Sequence, residues 1–310
     1  MSGIRFVLFA AGFIASVTPA AAADMQLQSV DGAVTFSGSY GITALRANEF
    51  VYEGKAKVSQ LIWKSDWVQT VTGDIAIDLE KDFYVKIKAT AGFAGDGFMT
   101  DYDWFYTGRP WSHRSQHPDT RLNHYFTGDI ELGRTVAEHG GTEIGLGAGI
   151  SYTDVKWAAY GGSYIFSDTG WRADRGDIPD GEKVIFYRQQ WPAPFLAANL
   201  SHVEGRWSLN GSLKAGLAFD AKGTDDHWMR DLRFVDHYYT TPTVGLDASI
   251  GYALRDNIQF YASGSFDHMA RVRADSRMID TITGDKSWFR DGAGGDFTSA
   301  TISFGLKGRF

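Results

Sequence analysis

Cysteine is absent from the 310 residues, and proline occurs only 7 times. The first absence excludes a disulfide framework, so a secreted form of this chain would be held by its backbone ladder and its packing alone. Beyond the N-terminus no apolar run approaches the length of a membrane helix, which excludes a helical span there. Metal-site spacings and an EF-hand register are also missing. Positive charge is in deficit, with a formal net charge of −7. Such a balance disfavours general nucleic-acid binding and suits cationic ligands. What the chain has instead is 36 glycines and 15% aromatic residues. Glycine and aromatics threaded through polar sequence suit a barrel wall with aromatic girdles.

The N-terminus reads as a secretory signal peptide. Arg5 precedes the apolar run 6–17, then come Pro19 and the alanines 20–23. Cleavage is expected after Ala23, and a short anchor helix is the alternative. Residues 24–310 are then expected to form one barrel domain, a size at which a single barrel is common.

The repeating signal in that portion is alternation at period two rather than the helical 3.6. At the C-terminus Ile302, Phe304, Leu306, Gly308 and Phe310 point one way, and Ser303, Gly305, Lys307 and Arg309 the other. A strand between lipid and a watery interior needs this dyad pattern. Ten strands are expected near 33–45, 57–79, 83–97, 121–134, 142–167, 182–202, 205–221, 238–255, 258–273 and 297–310. The connections 46–56, 98–120, 168–181, 222–237 and 274–296 then come out long, and those between them short. Long extracellular loops alternating with short periplasmic turns mark an all-β, antiparallel, ten-stranded transmembrane barrel of the bacterial outer membrane. A soluble sandwich would show the same alternation, but not the signal peptide or the loop rhythm. Strands of twenty residues rise ~50 Å against an apolar band of ~25 Å, so a rim should stand clear of the membrane on the long-loop side.

Two segments of that rim carry chemistry. Asp101 and Asp103 are two apart, as are Asp225 and His227, so each pair shares a face in extended structure. A carboxylate beside an imidazole fixes the tautomer and raises basicity, as a general base for water requires. Two further carboxylates opposite could hold that water or share a proton. A solvated acidic rim, or a metal held by two Asp-x-Asp/His pairs, fits the spacing as well.

At this point the loops resemble a known family, the omptins. The resemblance rests on the segment 99–104 (Met-Thr-Asp-Tyr-Asp-Trp), on 117–120 (His-Pro-Asp-Thr), on 161–165 (Gly-Gly-Ser-Tyr-Ile), on Asp225-Asp226-His227 and on 57–61 after the first loop. It implies a ten-stranded outer-membrane endopeptidase that cuts between basic residues without a covalent intermediate. By position, Asp225 and His227 correspond to a catalytic dyad, Asp101 and Asp103 to a carboxylate couple across the groove, and His117 to a supporting histidine. Glu49 corresponds to a glutamate in the pocket for the basic residue before the cut, although alone it reads equally as a solvated loop acid. The family's second acid in that pocket is here Gly223, which weakens charge-assisted recognition of arginine. The resemblance also implies lipopolysaccharide as activating lipid, with no metal or other cofactor. Tyr152, Asp154 and Lys156 match the family's lipid-phosphate residues with altered reach. Gln190 replaces an arginine of that site, and Arg188 stands two residues before it. The expected partners are cationic peptide or protein substrates and outer-membrane lipid. No nucleic acid is expected, and the chain should be a monomer. A non-catalytic adhesin or scaffold and a porin-like channel remain as alternatives.

Overall fold

The structure is a computed structural model that describes residues 33–310, so the expected signal peptide lies outside the described residues. Those residues form an all-β chain of thirteen strands: β1 (Val34–Glu53), β2 (Ala56–Asp78), β3 (Phe83–Asp103), β4 (His113–His117), β5 (Asp119–His139), β6 (Thr142–Phe166), β7 (Asp174–Glu204), β8 (Trp207–Ala218), β9 (Lys222–His227), β10 (Leu232–Tyr238), β11 (Thr241–Arg255), β12 (Ile258–Asp280) and β13 (Lys286–Arg309). All pairings are antiparallel. From β1 the ladder runs through β2, β3, β5, β6, β7, β8, β11, β12 and β13 and returns to β1. The molecule is barrel-like and spans the membrane through strands. In hydrocarbon only such a wall, with each long strand paired on both sides, satisfies the backbone.

The short strands stand at one end. β4 fits between β3 and β6, while β9 and β10 fill the space between β7 and β12. Here the structure corrects the strand boundaries. The expected loop 46–56 shrinks to the turn Gly54-Lys55, the stretch 222–237 is almost all strand, and 274–296 is mostly the paired ends of β12 and β13. The cause is solvent. Above the membrane the outward face meets water and carries polar residues, so the hydrophobic alternation fades while the hydrogen-bonded ladder continues.

The outward face at mid-height is a continuous apolar belt, with Leu213, Leu246, Ile250, Phe304 and Ile302 all exposed. Inside, three tiers follow one another. At the short-turn end lies a polar chamber of about 810 Å³ lined by Asp74, Lys88, Asp129, Lys214, Asp247 and Asp267 among others. Lys88 and Lys214 bridge its carboxylates, the latter at 2.8 Å from Asp129. Above it the core closes across the interior: Leu45, Trp63, Met99, Trp157, Tyr187, Trp191 and Phe297 are all buried. Trp63, Trp157 and Tyr187 stack on one another with centroids 5.5–6.4 Å apart. The candidate site rests on this aromatic floor.

The belt is testable at Leu246, which pairs with Leu213 and Phe266 on the two adjacent strands. Leu246→Arg should destabilise the folded protein by about 2–4 kcal/mol. Urea titration of the protein folded in lipid vesicles would measure the loss.

Candidate active site

Asp101 and Asp103 close β3 on one face, as their spacing requires, in the row of the buried Met99. Ser59 of β2 pairs with Asp103 in register, and its hydroxyl donates to Asp101 Oδ1 at 3.2 Å. Opposite, the β9–β10 hairpin presents Asp225 and His227. The His227 Nε2 lies 2.6 Å from Asp225 Oδ2, and Phe234 packs edge-on against the ring at 5.4 Å. Asp225 is 2% exposed, whereas the His227 side chain keeps 16% of its surface open. The imidazole therefore faces the groove while its carboxylate is sealed behind it.

Glu49 comes up from β1 and is buried. Its carboxyl lies against that of Asp225, where Glu49 donates and Asp225 accepts. Burial, then the charges of Asp225 and Asp236, push Glu49 well above the usual carboxylate range. Burial, then the charges of Asp236 and Asp226, also hold Asp225 well above the usual carboxylate range, against its hydrogen bond with Glu49 and the pull of Arg230. Burial and the repulsion of Asp103 raise Asp101 to about 8, against the pull of His227 and Ser59. Asp103 is raised by burial, with Ser59, His113, Arg230 and His227 opposing. Burial lowers His227, while Glu49, Asp101 and Asp103 pull the other way. Burial thus disfavours the charged form of the imidazole and of both carboxyls.

The other residues singled out in the sequence fall into two places. His117 is fully buried between Gly161 O at Nδ1 and Ser115 Oγ, 2.8 Å from Nε2. It pins β4 to the bend in β6. Gly161 and Gly162 take φ of 51° and 116° at that bend, and a Cβ on Gly162 would sit 2.2 Å from Gln116 O. Only glycine serves there. Tyr152, Asp154, Lys156 and Arg188 lie on the outward face, continuing the rows of the apolar belt on β6 and β7. Arg188 clasps Asp154 through both Nε and a terminal nitrogen, and His124 Nε2 adds a contact at 2.9 Å. Gln190 donates to Tyr152 Oη at 2.6 Å. Arg233 pairs with Asp226 and stands outside this group.

The residue that the sequence did not single out is Asp236, buried on β10 and paired in register with Gly223. Burial lifts it to about 7, with a Ser276 hydrogen bond opposing. Its signal was one acid in the inward row Phe234, Asp236, Tyr238, hidden because that stretch reads as loop.

A model of the Omptin family matches residues 30–310. The chain belongs to the Omptin family. The plasminogen activator of Yersinia pestis is 28% identical over 281 residues, covering 89% of each chain. Protease 7 of Escherichia coli strain K12 is 29% identical over 287 residues, covering 88% of this chain and 89% of the relative. The crystal structure of the outer membrane protease OmpT from Escherichia coli superposes with a TM-score of 0.83 at 25% identity, covering 89% of this chain and 96% of that one. This omptin is thus a membrane protease of the bacterial outer membrane, with its longer connections on the extracellular side.

The raised carboxyls make stability depend on pH. The unfolded chain releases these protons near pH ~4. The folded omptin keeps them up to about 7 on Asp236 and about 8 on Asp101. Between those limits the native state binds more protons, so stability must fall as pH rises. The melting temperature should drop between about pH 5 and about pH 9. In Asp101→Asn the drop should be shallower, as circular dichroism melts at a series of pH values would record.

Proposed function

We propose that this omptin is an endopeptidase that cleaves next to basic residues with a water activated by His227. The observation that carries the reading is the buried Asp225–His227 contact at 2.6 Å, with Asp101 and Asp103 within electrostatic reach of the imidazole. The working unit would be one ten-stranded closed barrel over residues 24–310, after removal of a signal peptide at 1–23.

With its Nε2–H given to Asp225, His227 has the Nδ1 lone pair free to accept a proton from water. The new hydroxide attacks the scissile carbonyl carbon, and the π electrons move to oxygen. The proton held by the Asp101/Asp103 couple is placed to hydrogen-bond that oxyanion. The imidazolium, steadied by Asp225, returns its proton to the amide nitrogen as the C–N bond breaks. Glu49 lies below, at the acidic end of the groove, where it suits a cationic side chain next to the cut. No metal enters this scheme.

Lipopolysaccharide is the proposed activating lipid. Lys156, Arg188 and His124 form a basic cluster on the outer wall just above the apolar belt, with Asp154 holding Arg188 and His124 in place and Tyr152 beside it. A phosphorylated lipid headgroup at that height would meet donors of the right charge.

Refolded protein with lipopolysaccharide should hydrolyse fluorogenic peptides carrying Arg or Lys before the cut. His227→Ala and Asp101→Asn should each lower kcat by about a hundred- to ten-thousandfold. A folded, lipid-loaded protein that cuts no peptide of the panel would leave the scaffold reading in place. Arg188→Ala should leave kcat at saturating lipid intact while raising the lipid concentration for half-activation several-fold. An unchanged lipid titration would remove Arg188 from the site.

A further inference from the structure

Gly223 leaves the inward row of β9 without a side chain next to the dyad, and the neighbouring strand fills the gap. Asp236 is the register partner of Gly223, and a Cβ built on Gly223 would sit 3.4 Å from the Asp236 Cβ. The same Cβ would lie 2.6 Å from the Tyr238 hydroxyl, which accounts for glycine at this position. Tyr238 in turn bonds Tyr187 at 2.9 Å and stacks on Trp191. Asp236 therefore stands on an aromatic floor within the electrostatic reach of Glu49 and Asp225.

Three oxygens in this niche are buried without a donor: Glu49 Oε2, Asp225 Oδ1 and Asp236 Oδ1. Glu49 and Asp236 are 4% and 3% exposed, and among the described residues neither forms a salt bridge with a lysine or arginine. Buried acceptors left unmatched are costly and call for donors from outside. A guanidinium or ammonium group on a long stem supplies several donors and the opposing charge at once.

We propose that Asp236 is a specificity-determining residue of this omptin, which together with Glu49 receives one basic side chain of the peptide and stands in from β10 for a carboxylate that β9 cannot carry at Gly223. The assignment rests on the proposed peptidase reading for its substrate, but its binding test does not require turnover. Asp225 is committed to His227, so Glu49 and Asp236 form the two arms that grip the cation.

The test uses full-length protein refolded with lipopolysaccharide. Calorimetry measures binding of N-acetyl-argininamide and of its uncharged analogue N-acetyl-norleucinamide. The wild type should prefer the arginine compound. Asp236→Asn should weaken that compound about ten- to a hundredfold, the range for a lost charge-assisted hydrogen bond, and leave the norleucine compound unmoved. In parallel, Asp236→Asn should reduce kcat/KM for Arg-containing peptides by a similar factor, mostly through KM, and spare any cleavage after Ala. Arginine binding that is unchanged in Asp236→Asn, or no stronger than norleucine binding in the wild type, overturns the assignment. If arginine preference in cleavage persists in the variant, Asp236 falls while the peptidase reading stands. Asp236-dependent binding without any hydrolysis has the opposite meaning. Removing a buried, repelled carboxyl should not harm folding, so an unfolded Asp236→Asn would also contradict the niche described here.

Discussion

Everything in this molecule depends on the period-two geometry of a wall whose long strands are each paired on both sides. Leaving backbone amides unpaired in hydrocarbon costs several kcal/mol per group, so the ladder cannot lapse inside the membrane. Once the ladder is fixed, position along a strand fixes the face. The inward row of β1 shows the result: Ser37 and Thr43 bond within the polar chamber, Leu45 and Ala47 join the core, and Glu49 reaches the acidic niche. Chamber, core and site are successive heights on the same rows of residues.

That rule also explains what could be read from the sequence. The apolar belt was legible because lipid enforces alternation, so the C-terminal row ending at Leu306 appears as expected. That Asp101 and Asp103 share a face, and Asp225 and His227 likewise, followed from spacing alone. Above the lipid the reading weakened. The outward face there is polar, and strands as regular as β9 and β10 read as loop. Bulges blurred it further. On β2 the inward row passes from Ser65 to Val68 across Trp67, whose φ is 56°, and the register with β3 shifts at the same place. On β12 a shift follows Met269. An extra residue of this kind reverses which face a side chain meets, and no composition signal announces it. Asp236 was invisible for a related reason, since its importance lies in the strand beside it. Only the pairing shows that it faces Gly223.

The chemistry of the site follows from burial without neutralisation. In the polar chamber Lys88 and Lys214 pair with Asp247 and Asp129. On the other side of the core, Glu49, Asp225 and Asp236 crowd together with His227 as the cationic candidate, and Arg230 acts only at a distance. The fold therefore keeps its charge balance where it meets lipid and leaves it unsatisfied where it meets the outside. A buried acidic surplus of this kind costs stability, a common feature of sites that must bind a partner of opposite charge.

The stacked plate of Trp63, Trp157 and Tyr187 has a consequence for the cell envelope. A hollow cylinder through the outer membrane would leak solutes in proportion to its copy number. Here a layer of buried rings and aliphatic side chains lies in the interior beside the polar chamber. A bore packed in this way would conduct little, so many copies could share one membrane without a proportional leak.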